Sequence, residues 1–152
     1  MPVWTCKHHS ELTPAELYAA LRLRSDVFVV EQQCVYPDLD GKDLYGGTAH
    51  LMAWEDGGLV AYARLLDPAL HDGEVVIGRV VSPASARGRG LGHGLMRQAL
   101  AEAGRRWPAQ PVYLSAQARL RAFYAGHGFV EVTGEYLEDG IPHVGMRLQA
   151  PA

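Results

Sequence analysis

Apolar runs of two different periods, punctuated by Gly, Pro and Asp, divide this chain into short elements of both kinds. Val3 to Lys7 reads as a short first strand. Thr13-Pro14-Ala15-Glu16 carries a helix start, with Thr as N-cap, Pro at the first helical position and Glu closing a capping box. Leu17, Leu21, Arg24 and Phe28 follow at helical spacing, and Leu17, Leu21 and Phe28 are expected on the buried stripe. From Gln33 to Gly47 the periodicity lapses. Pro37, Gly41, Gly46 and Gly47 predict a long loop or one short helix, a length common in functional or disordered segments.

His50 to Glu55 and Leu59 to Leu66 flank Asp56-Gly57-Gly58, which predicts a hairpin. Glu74 to Val81 reads as a further strand running into a glycine-rich loop. A helix is expected from about Gly90 to Trp107, with Leu91, Leu95, Ala99 and Ala103 on one face and Pro108 and Pro111 ending it. Val112 to Ala116 reads as a strand and Arg119 to Ala125 as a short helix stopped near Gly126 and Gly128. Phe129 to Tyr136 and Pro142 to Leu148 flank Glu138-Asp139-Gly140, a second hairpin signal. The pattern predicts one α/β (α+β) domain over residues 1–152, with a central, mostly antiparallel mixed sheet and one β-α-β unit.

Composition narrows the class. Apolar residues make up 48% and charged ones 20%, a globular balance. A net charge of −3 argues against a general nucleic-acid or anionic-membrane binder. The N-terminus has no long apolar run and no apolar stretch reaches about 18 residues, so neither a signal peptide nor a membrane span is expected. Cys6 and Cys34 are the only cysteines. They read as free thiols of a reducing compartment, and the cytoplasm is the expected location. Cys34 reads as an ordinary thiol ahead of a nucleophile. No metal site is expected. Arg87, Arg89, Arg97, Arg105 and Arg106 crowd one segment, as a local phosphate site requires.

Arg87-Gly88-Arg89-Gly90-Leu91-Gly92-His93-Gly94 joins the strand to the helix. Glycines let backbone approach a ligand, a helix start offers unpaired N–H groups, and arginines add bidentate donors. Together they suit a phosphate or pyrophosphate; the alternative is a plain solvent loop. The dinucleotide fingerprint G-x-G-x-x-G fails, because the sixth position is His93 or Leu95, and no Gly-Lys-Ser/Thr of a P-loop occurs. The spacing that fits is [Q/R]-x-x-G-x-G, filled by Arg87, Gly90 and Gly92.

That loop resembles the acetyl-coenzyme A loop of the GNAT N-acyltransferase superfamily. Phe123-Tyr124-Ala125-Gly126-His127-Gly128-Phe129 resembles the superfamily's [LF]-Y-x-x-x-G-F motif, about 30 residues downstream. Arg24 to Gln32, with the pattern R-x-x-V-F-x-x-E-Q, resembles the first-helix segment of its ElaA-like branch, and Asp139 to Met146 resembles that branch's last hairpin.

The resemblance implies the GNAT fold, with the fourth and fifth strands splayed around a pantetheine arm. It implies acetyl-CoA as acyl donor and an amine as acceptor. Val80, Val81 and Ser82 correspond to the stretch that pairs with pantetheine. Arg87, Gly88, Arg89, Gly90, Leu91 and Gly92, with Gly94 as a further candidate, correspond to the pyrophosphate loop. Tyr124 corresponds to the general acid. A phenol is suited to protonate a departing thiolate; the alternative for Tyr124 is a core aromatic with a capped hydroxyl. Two positions depart from the pattern. Gln117 stands where the superfamily often has Asn, and Val76 stands where a carboxylate base is often found. Glu31, Glu74, His50, His143 or a water chain remain open as base.

The acceptor side is expected from the first helix, the following loop and the last hairpin, with Glu31, Asp38, His50 and His143 as candidate contacts. With Asp40, Asp43, Glu138 and Asp139, these acids predict an acidic mouth that draws a cationic amine on a small molecule or a peptide. Two further readings stay open: a non-catalytic acyl-CoA sensor, and a nucleotide-binding regulatory domain that the loop spacing disfavours. The assembly state also stays open, with a homodimer one option.

Overall fold

The computed structural model describes residues 1–150. One eight-stranded sheet runs in the order β1 (Val3–His8), β2 (Ala49–Glu55), β3 (Gly58–Leu66), β4 (Val75–Val81), β5 (Val112–Gln117), β8 (Ile141–Leu148) and β6 (Val130–Glu131). A further strand, β7 (Tyr136–Glu138), also pairs with β8. Every pair is antiparallel except β4–β5, which α2 (Leu91–Arg106) connects in a β-α-β unit. The two expected Asp-Gly hairpins are present. Asp56 and Gly57 (φ 50° and 79°) and Asp139 and Gly140 (φ 50° and 78°) take consecutive left-handed conformations, the turn whose twist matches paired strands.

Helices cover both faces, and strand alternation decides which residue meets which. Leu51, Ala53, Ala61 and Ala63 point to α2, where Leu95, Met96, Ala99 and Ala103 are buried. Small alanines on sheet and helix allow close packing there. Met52 and Tyr62 point the other way, to α1 (Pro14–Arg24), against Ala20, Leu23 and Val27. Thr13 caps α1 as expected, its hydroxyl accepting the Glu16 N–H at 3.1 Å.

Three expectations shift. The buried stripe is Ala20, Leu23 and Arg24 of α1 and Val27 just beyond it, whereas Leu17, Leu21 and Phe28 are half-buried. The axis continues through Ser25–Glu31 in wider turns, closed by bonds such as Gln32 N–H to the Val27 carbonyl. The short helix α3 (Arg121–Ala125) begins later than expected, after one tighter turn at Ala118–Leu120. The strand expected over Phe129–Tyr136 is broken into β6 and β7, because the Thr133 hydroxyl accepts the Gly145 N–H at 2.8 Å where a strand carbonyl would stand.

The feature that positions the site is the parallel pair. β4 and β5 pair only at Val75–Val112 and Val76–Tyr113, then part company. Beyond that point β4 stays with β3, and β5 stays with β8. On β4 the register slips from Arg64–Gly78 to Tyr62–Val81, so three steps of β4 face two of β3. The extra residue is a bulge, with Arg79 at φ 52°, and a bulge bends its strand.

Candidate active site

The gap between β4 and β5 is a cavity of about 330 Å³. Val76 to Val80 form one wall and Leu114, Ser115 and Gln117 the other. Tyr124 of α3 lies between them, and Glu138, Asp139, Ile141 and His143 close one end. Cys34, Tyr36, Asp40 and Lys42 of the long loop cover the remaining side.

The long loop is held there by a buried ion network. Arg24, fully buried, donates from Nε to Asp38 (2.9 Å) and from Nη1 to Asp43 (2.6 Å). Arg64 joins Asp40 (2.8 Å) and Asp43 (3.0 Å), and Arg79 of the bulge joins Asp38 (2.9 Å) and Asp40 (3.3 Å). Three arginines thus alternate with three aspartates. Burial opposes the charge on Asp40, yet the Arg64 guanidinium outweighs it and holds the carboxyl at about 2. The acidic mouth expected from these aspartates is therefore neutralised. Glu138 and Asp139 remain as acids at the cavity. In the sequence, Arg24 at helical spacing with Leu17, Leu21 and Phe28 was the one visible sign of this network.

The glycine loop leads away from the end of β4. Gly88 and Gly90 adopt φ 79° and 76° with open space beside them, and Gly90 precedes α2 without a side-chain cap. The first helical bond runs from the Gly94 N–H to the Gly90 carbonyl, so the amides before it, Leu91 included, face outward as donors. Gly92 and Gly94 are small for a different reason. A Cβ at Gly92 would meet Phe123 at 3.4 Å, and one at Gly94 would meet Trp4 at 3.2 Å. Phe123 in turn packs edge-on against Tyr124, with centroids 5.0 Å apart, and so couples the loop to the cavity.

Arg87 is held by the Ser82 carbonyl (3.0 Å) and by Glu31 in a two-pronged pair (2.6 and 3.1 Å). Arg89 pairs with Glu55 at 2.6 Å. Arg105 and Arg106, expected beside the loop, sit at the far end of α2 and pair with Glu102. At about 1.5 Å rise per residue, that end lies more than 20 Å from the loop.

Val80 faces the cavity, whereas Val81 is buried and pairs with Tyr62. Gln117 lines the cavity, its carbonyl oxygen accepting from Arg119 Nε at 3.1 Å. Tyr124 is 7% exposed, and its hydroxyl makes no hydrogen bond among the described residues. Burial pushes its phenol above the ordinary value, so it stays protonated. Of the four acceptor-side candidates only His143 lines the cavity. Glu31 belongs to Arg87, and Asp38 to the ion network. His50 is fully buried between the Tyr62 hydroxyl (2.7 Å) and the Asp43 carbonyl (2.9 Å). Glu74 pairs with Arg147 and His71 outside the cavity.

Comparison with known proteins decides the family. The acetyltransferase (GNAT) domain pattern matches residues 20–150. The chain belongs to the GNAT acetyltransferase family. Within it, the chain is 50% identical to the protein ElaA of Escherichia coli over 94% of both chains, which places it in the ElaA-like branch. The crystal structure of E. coli ElaA superposes with a TM-score of 0.94 at 48% identity, covering 98% of this chain and 100% of that one. An acyl-CoA N-acyltransferase from Pseudomonas aeruginosa superposes with a TM-score of 0.95 at 64% identity, covering 97% and 99%. The GNAT fold expected from the motifs is thus present, with its splayed fourth and fifth strands. No helix among the described residues is long and apolar enough to cross a membrane.

Proposed function

We propose that the chain transfers an acetyl group from acetyl-CoA to the primary amine of a small acceptor. The observation that carries this reading is the cleft where β4 and β5 separate, with Tyr124 lining it and the glycine loop following the β4 wall in the chain. The edge of β4 at Val80 and Val81 that faces away from β3, with the Ser82 N–H just beyond it, offers backbone groups to a pantetheine arm, and Gln117 offers an amide from the opposite wall. The open, left-handed Gly88 and Gly90 and the donors of the first turn of α2 suit a pyrophosphate. Arg87 and Arg89 would supply charge there by exchanging their Glu31 and Glu55 partners for phosphate oxygens. Gly92 and Gly94 act through packing against Phe123 and Trp4.

Attack of an amine on the thioester forms a tetrahedral oxyanion, which a β4 amide in the gap would stabilise. Collapse expels a thiolate. Tyr124, kept protonated by burial, donates the proton to sulfur. The cavity's modest volume favours a small amine over a folded protein. The cytoplasm suits the two unpaired cysteines, and burial pushes the Cys6 thiol up to about 11, out of reach as a nucleophile.

The test is amine-dependent release of free thiol from acetyl-CoA across a panel of primary amines, beside calorimetry with coenzyme A. Binding with turnover of at least one amine is expected. Tight binding without turnover of any amine would favour a sensor of acyl-CoA, and absence of binding would remove the cleft as a cofactor site.

A further inference from the structure

The end wall of the cavity holds a titratable ring that the roles above leave unused. His143 sits on β8 opposite Gln117 of β5 and Tyr136 of β7, and it is 7% exposed. Its Nδ1 lies 2.7 Å from the Ile141 carbonyl oxygen. A carbonyl only accepts, so Nδ1 carries the hydrogen and the neutral ring keeps its lone pair on Nε2. Glu138 Oε2 lies 3.4 Å from that Nε2. At that distance the carboxylate is in position to accept a hydrogen bond from Nε2 once the nitrogen carries a proton.

The other elements packed around the ring do not compete for this role. Tyr136 stacks on it at 6.3 Å and shares a hydrogen bond with the Ser115 hydroxyl. Ser115 and Gln117 on β5 do not titrate in this range. Across the cavity, Arg64 and Arg79 both pair with Asp40, and Lys42 lines the same side from the long loop. Tyr124 lines the same cavity and is kept neutral by burial. Asp139, beside Glu138, presents its backbone carbonyl to the Cys34 thiol.

We infer that His143 Nε2 takes the proton from the acceptor's ammonium, with Glu138 as the positioning residue that stabilises the resulting imidazolium. This rests on the acyl-transfer reading above. The protons balance. The ammonium gives one proton to Nε2, and the freed lone pair forms the C–N bond while the carbonyl π pair moves to oxygen. Collapse breaks the C–S bond, and the thiolate takes the Tyr124 proton. The nitrogen's second proton restores the Tyr124 phenol, and the proton on His143 leaves to solvent. The products are amide, free thiol and one proton.

The chemistry gives a discriminating experiment. Ethylamine is almost wholly protonated near neutral pH and must lose a proton before attack, whereas hydroxylamine is already neutral there. Transfer from acetyl-CoA to each is measured against pH for the wild type, His143→Gln and Glu138→Gln, with coenzyme A affinity and melting temperature recorded alongside. His143→Gln is expected to lose at least 100-fold with ethylamine and less than tenfold with hydroxylamine, and to bind coenzyme A within twofold of the wild type. Glu138→Gln, at a half-exposed site, is expected to lower kcat with ethylamine several-fold with KM held. Nitrogen NMR of the His143 ring, which needs no turnover, is expected to show the proton on Nδ1 in the neutral ring. Equal losses with both amines, an unchanged kcat in Glu138→Gln, or the proton on Nε2 would each overturn the inference. A coenzyme A-binding wild type that acetylates neither these two nor any other primary amine of the panel would overturn the acyl-transfer reading and this inference with it. If His143→Gln does not fold, the kcat-against-KM split of Glu138→Gln and the ring tautomer decide.

Discussion

Arg24 and Arg22 stand two positions apart on one helix and should behave very differently. Arg24 is fully buried and satisfied by Asp38, Asp43 and the Asp38 carbonyl. Replacing it with Met leaves two carboxylates with too little compensation. The expected cost is about 3–5 kcal/mol, seen as a fall in melting temperature on the order of 10 °C. Arg22 meets Asp26 at 3.8 Å in solvent, and Arg22→Ala should change stability by less than about 0.5 kcal/mol. Thermal melts of both variants check the contrast; similar losses would mean the buried network is not what orders the loop. At the glycine loop, Arg87→Ala should weaken coenzyme A binding by about 1.5–3 kcal/mol if the guanidinium meets a phosphate. Calorimetry reads that loss directly, and equal affinity for coenzyme A and dephosphorylated pantetheine would contradict it.

Among the elements, the glycine loop divides into positions that face a ligand and positions that face the core. Gly90→Glu forces a side chain into a left-handed N-cap and puts negative charge at the proposed phosphate site. It should weaken coenzyme A binding by about 3 kcal/mol or more, roughly 100-fold. Gly94→Ala meets Trp4 instead and should leave that affinity unchanged. Titrating the two variants side by side separates the roles, and equal losses would erase the distinction. This division was not legible in the sequence, where all the glycines look alike; it depends on Phe123 and Trp4, which only the fold brings there. Local signals were legible: the Thr13–Glu16 capping box, the Asp-Gly hairpins, and the strand–loop–helix order around Arg87. What escaped was set by distant partners. The α1 stripe is displaced because Arg24 is buried on carboxylates 14 and 19 residues away. The break between β6 and β7 depends on Thr133 meeting Gly145 on another strand. On the acceptor side, Asp38 and His50 read as site residues because their partners, Arg24 and Tyr62, lie on other elements.

For the molecule as a whole, the buried charges tie stability to pH with a definite sign. Arginines hold Asp43 and Glu74 below the usual carboxylate range, as they do Asp40 at about 2. Their contribution is complete above the unfolded value near 4 and is lost as pH falls through the folded value. Burial lowers His50, so below about pH 6.5 the unfolded chain binds a proton that the folded chain refuses. Urea unfolding should therefore show stability declining gently below about pH 6.5 and steeply between about 4 and 2. A flat curve from pH 7 to 5 would contradict the His50 assignment, and no steepening below 4 would contradict the ion network. The central claim is that this scaffold holds Tyr124 in the cleft as the acid for acyl transfer. The most direct measurement is the rate of amine-dependent thiol release from acetyl-CoA by the wild type and by Tyr124→Phe, both saturated with donor and both confirmed folded. The expected result is a fall of roughly 10²-fold or more with coenzyme A affinity kept; equal rates in the two proteins would contradict it.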